Sequence, residues 1–351
     1  MNRTRDEILR SVQGGEPVRG QDCTGFDFAG GDLSGAIYEQ CDFSGANLER
    51  ADLTDSQFLD CTFTRTALNR CIAQGTLFIE SRFERTAMAD TALSNVTWMK
   101  CKVDGLALVR CKLDFLNFAD CEIDRLLIED SQVEKLTLAT CRTAKISFAR
   151  STLERTVLLE CDLRKADFRG TSFNTVVMAK SLLAGQSFAN QSLTNVQFIG
   201  ADLTDCDFSG AELKQVNFQE SLATGANFRN AHGPCALFVD AQINGGAFEG
   251  AMLRQALFNG AQANGCRFDG ADLYQTNWTR ASLPRSSLRD CELTYADFSY
   301  AVLHEADLQG STLYRAKLHQ VSDRGTRFSD RARALESDPE LLAAERWQPP
   351  A

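Results

Sequence analysis

The chain has 351 residues, 44% apolar and 24% charged, with 37 basic against 47 acidic side chains and a formal charge of −10. That balance argues against a protein that neutralises nucleic-acid phosphates or docks on anionic lipid, since both need clustered Lys and Arg. It permits a basic partner or mimicry of a nucleic acid.

The N-terminal residues up to Gly14 are charged and carry no apolar core followed by a small-residue cleavage site. No apolar run of about 18 residues occurs anywhere, so a cytoplasmic protein without a membrane span is expected. Asp6 to Val12 places Ile8, Leu9 and Val12 on one face of a short helix, with Thr4 or Asp6 as N-cap and Gly14-Gly15 ending it. Residues 1–21 are expected to cover the exposed first end of the repeated region.

That region begins at about Gln21. Within it, Ala201-Asp202-Leu203-Thr204-Asp205 and Cys206-Asp207-Phe208-Ser209-Gly210 are two copies of one phrase: small, polar, large apolar, polar, polar or Gly. Stepping by five from Phe28 to Phe328 visits 61 positions, and only Ala73, Thr143, Ala223, Gly233, Ala263 and Asp323 are not large and apolar. A period of five fits neither the 3.6 of a helix nor the 2.0 of a strand. It fits a chain that turns a corner every five residues, burying the large residue and the small one two before it. Four sides then close a coil of 20 residues, and about 15 coils stack with backbones roughly 4.8 Å apart into a rod about 70 Å long.

Phrases such as Ala-Asp-Leu-Thr-Asp, Cys-Asp-Phe-Ser-Gly and Ala-Asn-Leu-Glu-Arg resemble the pentapeptide repeat family, over about 300 of the 351 residues. The resemblance implies an all-β, right-handed quadrilateral β-helix, here spanning 22–328, with helical caps at 1–21 and 329–351. Residues 20 apart should stack. Phe148, Phe168, Phe188, Phe208, Phe228, Phe248 and Phe268 make one such column, and Phe198, Phe218, Phe238, Phe258, Trp278 and Phe298 another, so aromatics are expected on two opposite sides and aliphatics on the others.

In the middle coils Leu106, Leu116, Leu126, Leu136 and Ile146 fill slots usually held by Ala, Ser or Cys, while Val103, Val133 and Thr143 shrink beside them, which reads as volume compensation. Gly233 stands where a core residue belongs, next to Pro234, and a local bulge or kink is expected there. After Phe328 two short helices are expected, at 329–335 and 339–347, the second with Asp338 as N-cap. Leu335, Leu341, Leu342 and Trp347 would cover the last coil; a dimer contact, as in some family members, is the competing reading.

A register without insertions offers no cleft that gathers catalytic groups, so no enzyme activity and no cofactor are expected. His232, His304 and His319 fall at outward positions of different coils and read as solvated. Thirteen Cys occupy slots that Ala, Ser or Thr fill elsewhere, and Cys41, Cys61, Cys101, Cys121, Cys141 and Cys161 share one column. Stacked residues project in parallel and no Cys-x-x-Cys pair is present, so buried reduced thiols are expected rather than disulfides or a metal site.

The outward columns carry more information. Leu59, Ile79, Met99, Leu159 and Ile199, joined by Leu77, Val157 and Val177, place aliphatic side chains where the phrase has polar ones, a stripe read as a partner-binding or dimerisation surface. Asp114, Glu134 and Glu154 beside Lys135 and Arg155, and Glu84, Asp104 and Asp124 beside Arg85, Arg125, Lys145 and Lys165, read as exposed salt-bridge rows. The expected function is a non-enzymatic scaffold or adaptor for a protein partner, a homodimer included, with no direct nucleic-acid binding. The leading segment Arg5-Asp6-Glu7-Ile8-Leu9 to Gly20 resembles pentapeptide proteins associated with bacterial type VI secretion, implying an adaptor or effector-loading role. The alternative is a DNA mimic that binds DNA gyrase, as in quinolone-resistance members of the family.

Overall fold

The structure, a computed structural model, describes residues 3–347; the outermost residues of the two expected caps, 1–2 and 348–351, lie outside the described residues. Contacts divide the chain into two compact units, Met1–Ser181 and Leu182–Ala351. Each is a β-solenoid in which residues 20 apart pair in parallel, as in Asp202↔Leu222 and Leu77↔Thr97.

One phrase explains the coil. Ala201, Leu203, Cys206 and Phe208 are buried, while Asp202, Thr204 and Asp205 stay at the surface. Leu203 N–H donates to the Leu222 carbonyl of the next coil at 2.7 Å, and Leu222 N–H returns a bond to Ala201 at 2.9 Å. The corner closes when Cys206 N–H donates to the Leu203 carbonyl at 3.1 Å, with Asp205 at φ 54. A turn with its third residue at positive φ normally asks for Gly or Asn. Here the corner column also accepts Arg50 (φ 57), Phe115 (φ 53) and Tyr295 (φ 61), because the ladder above and below fixes it. The Asp of the phrase serves the same corner: Asp202 Oδ1 accepts the Thr204 N–H at 3.1 Å and its hydroxyl at 2.7 Å.

The first unit opens with α1 (Arg5–Gln13), whose N-cap Thr4 forms a reciprocal capping box with Glu7 and which buries Ile8 and Val12. Pairing begins at Val18–Arg19, against Tyr38–Glu39. In the middle coils five eight-residue strands run across corners: β1 (Arg82–Ala89), β2 (Ala92–Met99), β3 (Lys102–Val109), β4 (Lys112–Ala119) and β5 (Glu122–Glu129), with Arg85, Asn95, Gly105 and Phe115 still at positive φ. β1, β3 and β5 pair in one sheet of six strands, β2 and β4 in another of twelve. Leu106, Leu116, Leu126, Leu136 and Ile146 are all buried beside Val103 and Val133, so the expected volume exchange is realised. The register between β3 and β5 shifts at Arg125, which sits opposite Asp104.

Aromatic columns hold both cores. In the second unit Phe208, Phe228, Phe248 and Phe268 stack at 4.9, 4.6 and 4.6 Å, and Phe218, Phe238, Phe258 and Trp278 at 4.7, 4.7 and 4.0 Å. The columns meet edge to face across the core, as at Phe208 and Phe218, 5.4 Å apart, and so occupy opposite sides. The expected break at Gly233 does not occur. Its neighbours pair regularly at Glu212↔His232 and His232↔Met252, and Leu213 and Leu253 lean to within 3.2 and 3.0 Å of where its Cβ would sit. The vacant volume is taken up by side chains, leaving the backbone nothing to absorb.

The C-terminal segment differs from expectation. A short 3-10 turn at Arg331–Arg333 replaces the first helix, and α2 (Pro339–Glu345) forms with Asp338 as N-cap. No residue of α2 is buried, and the side chains of Leu335, Leu341 and Trp347 are exposed, at 44%, 47% and 69%; the segment meets the last coil by backbone, Leu335 N–H donating to Ala316 and its carbonyl accepting from Leu318, both at 2.8 Å. α2 is held from its polar side instead, through Glu345.

The two buried tryptophans provide a test of the core. Trp278 donates its indole N–H to Thr276 Oγ1 at 2.9 Å, whereas the Trp98 N–H, stacked between Phe78 and Phe118, has no partner among the described residues. A buried donor left unpaired costs about 1–3 kcal/mol. Trp98→Phe is therefore expected to leave the thermal midpoint unchanged or raised, and Trp278→Phe to lower it, the variants differing by about 1–2 kcal/mol in stability; equal losses in calorimetry would contradict the assignment.

Candidate interaction surface

The aliphatic residues fall on one side of the first unit. Register places Leu59 beside Ile79, Ile79 beside Met99, Met99 beside Ala119, and Ala139 beside Leu159. The neighbouring outward column runs Leu77, Thr97, Asn117, Thr137, Val157, then Val177. Met99 is 38% exposed, and Leu59, Leu77, Ile79, Val157, Leu159 and Val177 are half-buried. The stripe thus has two aliphatic shoulders with a lower floor of Thr97, Asn117, Ala119, Thr137 and Ala139 between them. Ile199, half-buried, belongs to the second unit.

The first expected salt-bridge row forms: Lys135 reaches Asp114 at 3.5 Å and Glu134 at 3.2 Å, and Arg155 pairs with Glu134 and with Glu154 at 3.4 Å. The second forms only at Arg125, 3.8 Å from Asp104; Glu84 turns to Arg82 at 3.6 Å, and Arg85, Lys145 and Lys165 enter no ion pair among the described residues. The same corner-to-neighbour spacing pairs at Lys135 and Arg155 but not at Arg85, so spacing alone does not decide which rows close. Spacing also gave no notice of a corner column of alternating sign. Arg110 clasps Asp90 at 2.7 and 3.0 Å and Arg150 clasps Asp130 at 2.7 Å through both nitrogens, and these bonds hold both carboxyls below the usual range.

Of the histidines, His232 contacts Glu212 at 2.7 Å and His304 contacts Ser322 at 2.7 Å. His319 is not solvated. It is 5% exposed, accepts the Asp338 N–H at Nδ1 (3.2 Å), faces Glu345 from Nε2 (3.2 Å) and lines a cavity of about 670 Å³ with Tyr300, Lys317 and Pro339. Its outward position is covered because α2 folds back over it. A second cluster was not anticipated from the sequence: Tyr274, Tyr295 and Tyr314 meet edge to face at 5.9 and 6.0 Å, with Arg254 over Tyr274 and Arg315 over Tyr295. The shared phase of i+1 and i+2 positions 20 apart would have revealed it.

All thirteen cysteines are free thiols, and twelve are buried. The column thiols donate to carbonyls, as Cys61 does to Tyr38 and Leu59 at 3.4 Å. Burial pushes Cys23, Cys71, Cys161, Cys206, Cys266 and Cys291 up to about 12. Cys235 departs from expectation: it sits at a corner with φ 58, half-buried, its sulfur 3.7 Å from Gln255 Oε1. Among the described residues no three His, Cys, Asp or Glu side chains gather in a metal-binding group, and no helix is long and apolar enough to cross a membrane.

The profile described as pentapeptide repeat region matches 51–125 and 191–268, and that described as pentapeptide repeats (8 copies) matches 27–65, 145–178, 266–299 and 286–322. The chain belongs to the pentapeptide repeat family. Among solved structures it is similar to HetL, a pentapeptide repeat protein involved in heterocyst differentiation regulation in the cyanobacterium Nostoc, at 16% identity over 96% of this chain and 98% of that one, with a TM-score of 0.18. It is also similar to a pentapeptide repeat protein of the Arabidopsis thaliana thylakoid lumen, at 34% identity over 28% of this chain and 66% of that one, TM-score 0.19. A form of QnrB1, a plasmid-mediated fluoroquinolone resistance protein, is 20% identical over 64% of this chain and 96% of its own, TM-score 0.27. A search of curated proteins returned no match. Scores this low carry no functional inference.

For this pentapeptide repeat chain the thiol assignments are directly measurable. Native protein should react with Ellman's reagent at one fast thiol, Cys235, and at all thirteen after denaturation; a Cys235→Ser variant should show no fast phase. Several fast thiols in the native state would mean the columns open to solvent.

Proposed function

We propose that the protein is a non-enzymatic interaction scaffold that holds a protein partner on the aliphatic side of its first unit. The observation that carries this reading is the stacking of Leu59, Ile79 and Met99, and of Leu159 beyond Ala119 and Ala139, in a column that the phrase fills with polar residues. The fold does not need them there, since the large and small buried positions already supply the core. Aliphatic shoulders around a low floor suit a convex apolar element of a partner better than a flat one. Among more specific roles, adaptor service in type VI secretion rests on the leading segment alone.

Mimicry of DNA finds less support. Asp22, Asp32, Asp42 and Asp52 each spend a carboxylate oxygen on the N–H two residues on, at 3.0, 3.1, 2.8 and 2.9 Å, so the acidic count reflects how corners are built.

Met99→Asp combined with Leu159→Asp tests the reading. Affinity capture from the native host, read by mass spectrometry, should lose the partners that wild-type protein retains, and light scattering should show any self-association reduced. Unchanged capture and unchanged mass, with a folded circular dichroism spectrum, would remove the stripe from consideration.

A further inference from the structure

The opposite side of the first unit carries a different departure from the phrase. Its outward positions run Asn47 and Glu49, then Ala67 and Asn69, then Ala87 and Ala89, and its two edges are corner columns. Arg65 and Arg85 are successive on one edge, and Arg50 and Arg70 on the other, as the bonds from Arg65 N–H to the Glu84 carbonyl (2.8 Å) and from Arg50 N–H to the Asn69 carbonyl (3.0 Å) establish. Four exposed arginines, staggered over three successive rungs, therefore frame a low floor of short side chains, Ala67, Asn69, Ala87 and Ala89.

None of the four makes an ion pair among the described residues. Of the carboxylates around them, Glu84 pairs with Arg82 and Asp90 with Arg110, the latter also within the field of Arg70, while Glu49 enters no ion pair among the described residues. The fold does not call for arginine here. In the preceding coils the same columns hold Gly25 (φ 67), Gly45 (φ 66) and Gly30 (φ 63), the residue best suited to a left-handed corner. Arginine at these corners strains the backbone and stacks like charges about 4.8 Å apart.

We propose that this face binds a short acidic polypeptide segment, its carboxylates taken up by Arg50, Arg65, Arg70 and Arg85. The same corner column displays the geometry internally: Arg110 receives the Asp90 carboxylate from the adjacent coil through Nε and Nη2. A partner's carboxylate would take the place at Arg70 that Asp90 takes at Arg110. Nucleic acid fits less well. The floor has no aromatic ring on which a base could stack, and a duplex or an anionic membrane would extend over Glu84, Asp104 and Asp124 on the adjoining side of a chain whose formal charge is −10. The proposal is independent of the aliphatic side, and its failure would leave that reading standing.

The test uses the full chain and fluorescence anisotropy with a fluorescein-labelled octaglutamate peptide, against labelled oligothymidylate of eight nucleotides and phosphatidylserine vesicles. Octaglutamate should bind, at least fivefold more weakly at 200 mM than at 50 mM salt. Arg65→Gly with Arg85→Gly, which restores the residue used two coils earlier and so preserves the fold, should weaken binding at least tenfold. Arg280→Gly with Arg285→Gly, an equal charge change at two corners of the second unit (φ 61 and 58), should change it less than twofold. Equal losses from both pairs, no binding at 50 mM salt, or tighter binding of the oligonucleotide or the vesicles would each overturn the proposal.

Discussion

Everything in this protein depends on the backbone ladder between successive coils. Each side sends an N–H to the coil after it and receives one from the coil before, with a repeat of 20 residues that holds from Val18 in the first unit and through the Asp202 to Val302 bridges of the second. The ladder fixes the corner, and the corner decides what the sequence can contain. Because residues such as Arg50, Phe115 and Tyr295 are locked at positive φ by bonds on both sides, the chain places at its corners side chains that an isolated turn would reject. The strain is spread along the solenoid and offset by stacked rings such as Phe258 on Trp278, 4.0 Å apart.

The core was legible in the sequence because its signal is volume at fixed spacing. Phe208, Phe228 and Phe248 had to stack once the period was known, and Leu106 against Val103 had to exchange volume inside a constant cross-section. Surface electrostatics were less legible. Glu84 and Arg85 stand in the same relation as Glu134 and Lys135, which pair at 3.2 Å, yet Glu84 turns to Arg82, so the choice of partner is not written in the spacing. His319 shows a second limit: its slot is outward in the repeat, and only the return of α2, 20 residues on, buries it. Gly233 shows a third, since a missing side chain can be absorbed by Leu213 and Leu253 without moving the backbone.

A repeat this regular also separates structural from functional chemistry. Polar residues of the phrase have assigned tasks: Asp202 caps its own corner, and Ser56 and Ser81 hydroxyls bond carbonyls of the preceding coil, Leu33 at 2.7 Å and Phe58 at 3.1 Å. Such residues say little about partners. Residues that violate the phrase without repairing anything are the informative ones, and in the first unit they fall into two sets, one aliphatic and one basic.

Those two sets lie ten residues apart in phase, half a coil, and therefore back to back across the core. Trp98 and Phe118 line the inside of the aliphatic side, Met88 and Leu108 the inside of the basic one, all of them buried. The faces share no outward residue, so a ligand on one does not occlude the other. On this reading the unit is suited to hold two partners of opposite chemistry at once, one docked by apolar contact and insensitive to salt, the other held by guanidiniums and released as ionic strength rises. The salt dependence of each contact then distinguishes the faces without a structure of either complex.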